Sequence, residues 1–308
     1  MSRTSIKRGE PLDPSGRKGE SGLKVLSADD LRALVRLLGD SDRRIARLAR
    51  ERLLEAGTEA LPYLREAAAD PDPLVRGRAR ILLEELRIEE LAVELARFSA
   101  TAQAEPDLEE GCFLLARYAL PDLDPERYRL QLDAMADQCR TVLRPGLDMY
   151  RIIGVINTCL FEQWRFHGED VDFLDPDSSY LPRVLDRRCG LPIALSTVYL
   201  LVARRLGLPV FGVGLPGHFI LQYRGPRETV WIDPFHRGRL LSRRDCERLL
   251  HRLGYPLDGR FLQPVSNRYI LARTVMNLGR AYGAMGRAAA VRHMERFRDI
   301  LGRLAAGR

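Results

Sequence analysis

The sequence contains few lysines, and none after position 24. They are Lys7, Lys18 and Lys24, and every later basic residue is arginine. Such a bias is typical of a GC-rich genome and does not by itself indicate a phosphate-binding surface. The formal net charge of +7 is spread over 49 basic and 42 acidic residues. Composition by itself therefore gives little support for a nucleic-acid partner, and we expect a protein or peptide partner instead.

The sequence also lacks paired cysteines and long apolar runs. Its cysteines are odd in number, widely spaced and without a CxxC pair, which argues against a disulfide framework or a zinc knuckle and indicates a reducing cytoplasm. They are Cys112, Cys139, Cys159, Cys189 and Cys246. No apolar run approaches the ~20 residues of a membrane span, and the N-terminus lacks the apolar core of a signal peptide. We expect a soluble, cytoplasmic protein without a membrane partner.

The N-terminal part divides into a polar tail and a repeated helical pattern. Residues 1–25 are rich in Ser, Gly, Pro and charge, which predicts a disordered tail. The leucines, aspartates and small alanines of residues 31–53 recur in residues 61–83. Each unit reads as helix, Asp-containing turn, helix, so residues 26–100 resemble a HEAT-type repeat pair. Three roles stay open for this pair: a buttress, a concave protein-binding surface, or a DNA-binding face built on the arginines of residues 43–52.

Apolar periodicity predicts three helices over residues 108–120, 122–143 and 150–166. Cys112, Cys139 and Cys159 lie on their apolar faces and are interpreted as small buried hydrophobes. The acidic stretch that begins at Asp175 superficially suggests a calcium loop. It lacks the Gly and the distal Glu of such a loop, so an Asx turn is predicted instead.

Residues 187–236 are the stretch around which the chain is organised. Pro192–Arg205 has no internal Gly or Pro and is apolar almost all round, which predicts a buried helix. Residues 210–215, 218–223 and 229–233 are rich in β-branched and aromatic residues and are separated by Gly and Pro, which predicts three antiparallel strands.

The predicted strand pairing brings a histidine and a carboxylate together. If Tyr223 pairs near Glu228, His218 lies opposite Asp233, and a register slip of one residue would place the two on opposite faces. A His and a carboxylate on neighbouring strands, beside a helix N-terminus, are typical of a nucleophile's base and the group that orients that base.

The same stretch is similar to the transglutaminase-like core in its bacterial SirB-type branch. The motifs that carry the resemblance are Gly190, the helix after it, Pro216-Gly217-His218-Phe219 and Ile232-Asp233-Pro234-Phe235. The resemblance implies a papain-like fold, with the family's His at His218, its Asp at Asp233 and its Gly at Gly190. Its catalytic Cys falls on Pro192, which has no nucleophile and suits the first turn of a helix instead. The flanks of the motif extend the resemblance over roughly residues 105–301.

Cys189 is the leading candidate for a replacement nucleophile. It lies near Arg187, Arg188 and the predicted helix N-terminus, surroundings that lower the pKa of a thiol. If the loop bends, Cys189, His218 and Asp233 could form a catalytic triad; otherwise Cys189 is an incidental loop residue.

Two further interpretations of the same region need no thiol. His218 and Asp233 could be a structural pair, because a buried imidazole needs a hydrogen-bond partner. A metal held by His218, Asp233 and His236 would meet the count of a two-His-one-carboxylate site, but we expect no metal and no cofactor. Ser196 is a weaker candidate nucleophile than Cys189, because it lies a full turn inside the helix, where a serine is expected to bond back to a carbonyl.

The whole pattern predicts an α+β protein. It consists of a disordered tail (1–25), a HEAT-like pair (26–100), a transglutaminase-like domain with a buried helix and a small antiparallel sheet (105–265), and a tetratricopeptide-like helical hairpin (266–308). Because of Pro192, a catalytically degenerate module that binds a protein or peptide partner is the leading interpretation. The alternative is an active cysteine hydrolase or transglutaminase that uses Cys189, His218 and Asp233.

Overall fold

The structure, a computed structural model, describes residues 26–100, 105–169, 174–252, 254–255 and 258–302. The tail predicted at residues 1–25 lies outside this described part. The chain forms two compact units, Met1–Leu86 and Arg87–Arg308. Among the helices described, none is both long and apolar enough to cross a bilayer.

Four helices follow one another from the first described residues. They are α1 (Ala28–Leu37), α2 (Arg43–Ala56), α3 (Leu61–Ala67) and α4 (Pro73–Ala100). The same aspartate turn precedes α2 and α4: Asp40 accepts a hydrogen bond from the Asp42 N–H at 2.7 Å, and Asp70 accepts one from the Asp72 N–H at 2.8 Å. Leucines and alanines from all four helices form the core of the first unit.

The second unit is mainly helical. Its remaining helices are α5 (Leu108–Ala116), α6 (Pro125–Val142), α7 (Met149–Asn157), α8 (Leu181–Arg187), α9 (Pro192–Arg205), α10 (Arg243–Arg252), α11 (Asn267–Ala284) and α12 (Ala288–Leu301). A π-helical turn, Thr158–Gln163, continues α7. The Asx turn predicted at Asp175 is confirmed, because its carboxylate accepts from the Asp177 N–H at 2.9 Å and caps a short 3₁₀ helix. All five cysteines are buried and free.

Two small sheets accompany these helices. A parallel pair is formed by β1 (His167–Gly168) and β2 (Cys189–Gly190), and an antiparallel sheet of order β3-β4-β5-β6 is formed by β3 (Val210–Leu215), β4 (His218–Arg224), β5 (Thr229–Asp233) and β6 (Arg239–Leu241). The three predicted strands are confirmed, whereas β1, β2 and β6 were not predicted. Strands of two or three residues are too short to show an alternating pattern.

The predicted register between β4 and β5 is wrong by two residues. Tyr223 pairs with Val230 rather than near Glu228, because Arg224 pairs with Thr229 and the turn is Gly225–Glu228. A difference of two residues returns each side chain to the same face of the sheet. The predicted contact between the side chains of β4 and β5 therefore survives the shift.

Helix α9 lies at the centre of the second unit. Every residue from Pro192 to Ala203 is buried, as predicted for a helix that is apolar all round. The expectation for Ser196 is wrong: its buried hydroxyl has no hydrogen-bond partner among the described residues, and the neighbouring Thr197 bonds back to the Ile193 carbonyl at 2.8 Å.

Candidate functional site

The candidate site begins with His218 and Asp233 at the ends of two neighbouring strands. His218 opens β4 directly after the Pro216-Gly217 turn, where Gly217 has a φ of +71° that favours glycine. Asp233 ends β5 because the next residue is proline, which cannot donate to the ladder. The His218 Nε2 lies 2.9 Å from the Asp233 Oδ2.

The Asp233 carboxylate is held by four hydrogen bonds. Its Oδ1 accepts from the backbone N–H groups of Phe235 at 3.1 Å and His236 at 3.3 Å. Its Oδ2 faces both the His218 Nε2 and, at 2.8 Å, the His236 Nδ1. Because an ionised carboxylate only accepts, both ring nitrogens carry their protons. A neutral His218 then has its lone pair on Nδ1, the form that a general base requires.

Opposing effects act on the acidity of Asp233. Burial acts to raise the pKa of this carboxyl, but the hydrogen bonds and positive charge of His218 and His236 lower it by more. The pKa of Asp233 therefore lies below its ordinary value, and the carboxylate is ionised at neutral pH.

Cys189 lies in β2 and is not joined to His218 by any hydrogen bond within the described residues. Burial and the negative charge of Glu169 raise the pKa of its thiol, and this outweighs the positive charge of Arg187. The direction is opposite to the lowered pKa expected from the sequence. Glu169 follows β1, so its proximity depends on a long-range pairing that local sequence does not reveal.

The backbone around Cys189 is tightly held. A Cβ on Gly190 would lie 2.9 Å from a Val184 methyl and 3.1 Å from the Ser178 carbonyl oxygen. The Leu191 N–H donates to that same carbonyl at 3.0 Å. Pro192 follows as the first residue of α9, where its missing N–H costs no helical hydrogen bond.

A cleft of about 860 Å³ opens beside the His218 and Asp233 pair. It is lined by Gly217, His218, Asp233, His236, Arg239, Leu241, Asp245, Arg248, Leu249, His251 and Arg252. These residues come from the β3–β4 turn, the start of β4, the end of β5, the short 3₁₀ helix that follows it, β6 and α10, and they include neither Cys189 nor Pro192. The arginines of this cleft, Arg239, Arg248 and Arg252, were not predicted, and only Arg239 belongs to the visible cluster of four arginines between positions 237 and 244.

Three of the side chains that line the cleft also have the composition of a metal-ligand set. One nitrogen of His218, one nitrogen of His236 and one oxygen of Asp233 all lie within 4.8 Å of one another. In the sequence, His236 lies three residues after Asp233, beyond the end of the predicted strand. The structure places it in the short 3₁₀ helix Pro234–His236 that Asp233 caps.

Comparison with known proteins finds similarity over this region. The sequence pattern of the transglutaminase-like superfamily matches residues 126–276. A UPF0162 protein of Xylella fastidiosa is 32% identical over 211 residues, which cover 65% of this chain and 74% of that protein. A UPF0162 protein of Pseudomonas aeruginosa is 36% identical over 191 residues, which cover 60% of this chain and 68% of that protein. F-box only protein 21 of mouse is 33% identical over 136 residues, covering 42% of this chain and 21% of that protein. No solved structure matches the chain.

Proposed function

The chain belongs to the UPF0162 family and contains a transglutaminase-like domain, and on this premise we propose that the domain is a degenerate, SirB-type member that binds a peptide. The peptide is a segment of a cytoplasmic protein partner, and it occupies the cleft beside His218 and Asp233. Binding there regulates the partner rather than cleaving or cross-linking it.

The position of Pro192 is the observation that carries this proposal. A transglutaminase-like reaction needs a thiolate at the start of the core helix, and proline offers neither a nucleophile nor a backbone donor. The thiol of Cys189, three residues before Pro192 in the sequence, is buried, has a raised pKa and lies on a strand whose backbone is held by packing. These features support a site that no longer performs thiol chemistry.

The shape and charge of the cleft support an extended, acidic peptide as the occupant. The Asp245 carboxylate accepts hydrogen bonds from Ser242 and Arg248, and the Asp233 carboxylate is hydrogen bonded to His218 and His236. Arg239 and Arg252 therefore supply the remaining positive charge. β6 is an edge strand, and extended peptides commonly dock beside such edges.

We further propose that the helical flanks are repeat-like modules, each of which binds protein segments on its own surface. The aspartate turns that recur before α2 and α4 support a HEAT-like pair at residues 26–100, and the antiparallel helices α11 and α12 support a tetratricopeptide-like hairpin at residues 266–308. Both kinds of repeat commonly hold proteins or peptides.

Selection of peptides on the wild-type protein tests this function. Random displayed peptides enriched on the full chain should be rich in Asp and Glu, and Arg239→Glu should weaken their binding by roughly tenfold because it places like charges together. Arg144→Glu makes the same charge change at an exposed arginine outside the cleft and should leave binding unchanged. Failure to enrich any peptide, or an equal loss of peptide affinity in Arg239→Glu and Arg144→Glu, contradicts the proposal.

A cysteine hydrolase or transglutaminase is the second candidate, favoured by the His218–Asp233 hydrogen bond at 2.9 Å. Iodoacetamide labelling of Cys189, followed by mass spectrometry against pH, separates the two functions. We expect native Cys189 to react at least ~10-fold more slowly than the thiols of the urea-unfolded chain, since only the thiolate reacts. His218→Ala should not change the rate. Fast labelling at neutral pH that is lost in His218→Ala would instead establish the triad.

A further inference from the structure

We infer that His218, Asp233 and His236 form an open binding site for a divalent transition-metal ion. We assign as ligand atoms the Asp233 Oδ2 and the two ring nitrogens that face it, the His218 Nε2 and the His236 Nδ1. This site goes beyond peptide binding and does not depend on it, because the metal ligands and the arginines of the cleft are different residues.

Two of the spacings between the donor atoms, both from the Asp233 Oδ2 to a ring nitrogen, are close to the edge lengths of a metal coordination shell. Zinc binds imidazole nitrogen and carboxylate oxygen at roughly 2.0–2.2 Å, so two neighbouring ligand atoms lie about 3.0 Å apart in octahedral and about 3.4 Å apart in tetrahedral geometry. The Asp233 Oδ2 lies 2.9 Å from the His218 Nε2 and 2.8 Å from the His236 Nδ1. Small outward shifts of the three groups would admit an ion between them.

The surroundings hold two of the ligands in place and leave the third adjustable. The two backbone N–H groups on the Asp233 Oδ1 orient the carboxylate, so that its Oδ2 faces the imidazoles. The His218 side chain is 12% exposed, whereas that of His236 is 60% exposed. The Phe235 ring contacts both imidazoles edge-on, with centroid distances of 6.0 Å to His218 and 5.3 Å to His236. Such support around a ligand set is typical of metal sites.

The donor set identifies the class of metal. Two imidazoles and one carboxylate suit Zn²⁺, Fe²⁺ or Co²⁺ and are poor ligands for Mg²⁺ or Ca²⁺, which prefer oxygen. Three protein ligands are one fewer than a closed structural zinc site has. All three ligands line the cleft, so an open coordination position would face it. Arg239 and Arg252 at the same cleft favour a carboxylate or phosphate as the additional ligand.

A bound metal would exclude the acid–base chemistry of a thiol enzyme. Coordination through the His218 Nε2 moves the ring proton to Nδ1, because a neutral imidazole has one proton. The His218 Nδ1 could then not accept a proton from a nucleophile. The metal-bound form and the triad form are therefore alternative states of the same three side chains.

Titration of the metal-free full-length chain with Co²⁺ tests the site. We expect one Co²⁺ per chain, visible absorption from nitrogen and oxygen ligation, and displacement by Zn²⁺. His236→Ala should weaken binding by roughly 100-fold or more, since even the loss of an outer-shell partner costs 10–100-fold. The exposure of His236 makes this variant compatible with folding, which circular dichroism can verify.

His251→Ala is the matched control, because His251 lines the same cleft without belonging to the ligand set. We expect its Co²⁺ affinity to equal that of the wild type. Absence of stoichiometric Co²⁺ binding, equal affinity in His236→Ala, or absorption typical of thiolate ligation would each overturn the site. Because no peptide is present, these outcomes leave the test of peptide binding unaffected.

Discussion

Asp233→Ala is expected to lower the free energy of unfolding by about 3–5 kcal/mol, the range for breaking a buried charged pair. The carboxylate accepts four hydrogen bonds and its side chain is 5% exposed. Its removal leaves the half-buried His218 imidazole and two backbone N–H groups without their acceptor. Urea denaturation at neutral pH, followed by circular dichroism, measures the change.

Asp137→Ala provides the comparison for this prediction. Asp137 is exposed and bridges to Arg140 within one helix, so its loss should change the free energy of unfolding by less than about 1 kcal/mol. If the two variants were equally stable, the Asp233 hydrogen bonds would contribute nothing net to the fold.

The effect of Asp233→Ala should also depend on pH. The pKa of Asp233 is lowered in the folded protein, so folding favours the ionised form. This contribution is fully present above the unfolded pKa of about 3.9 and is lost as pH falls through the lower folded pKa. The difference in stability between wild type and variant should therefore shrink below about pH 4. A difference that grew as the solution became more acidic would contradict the assigned direction of the shift.

Local sequence patterns allowed the helix and the main strands around the site to be predicted. The approximate bounds of α9 and of strands β3, β4 and β5 could be predicted from the sequence. Between Pro192 and Asp233, Gly and Pro separate one segment that is apolar almost all round from three that are rich in β-branched and aromatic residues. The register was less predictable because the Gly225–Glu228 turn contains no Asn-Gly or Asp-Gly pair to fix it. The two-residue period of a strand preserved the contact between His218 and Asp233 despite the shift.

The surroundings of Cys189 could not be predicted from sequence. Arg187 and Arg188 are adjacent in the chain and suggested a reactive thiolate. The group that opposes them, Glu169, lies 20 positions earlier and approaches only because His167 pairs with Cys189. The cleft could not be predicted for the same reason, because β6 and α10 bring its arginines towards Asp233 only through tertiary packing. A sequence motif thus identifies the acid–base pair but not what lies next to it.

Gly168→Ala is expected to lower the free energy of unfolding by roughly 1–3 kcal/mol, the usual cost of overpacking. A Cβ at Gly168 would lie 2.7 Å from two ring carbons of Phe235 and from its carbonyl oxygen. The ring could turn, but the carbonyl belongs to the 3₁₀ segment that Asp233 caps, so the backbone must shift. That shift moves His236, and we expect it to weaken ligand binding in the cleft as well as stability.

Gly154→Ala separates this crowding from the general effect of replacing glycine. Gly154 lies in α7, and a Cβ there would meet no atom within 4 Å. Alanine is favoured over glycine in a helix by about 1 kcal/mol, so Gly154→Ala should raise the free energy of unfolding. If urea denaturation shows that Gly168→Ala lowers the free energy of unfolding and Gly154→Ala raises it, the close packing between β1 and Phe235 is established. A stabilising Gly168→Ala would mean that the 3₁₀ segment moves freely, and His236 would then lack the fixed position that a ligand of the site requires.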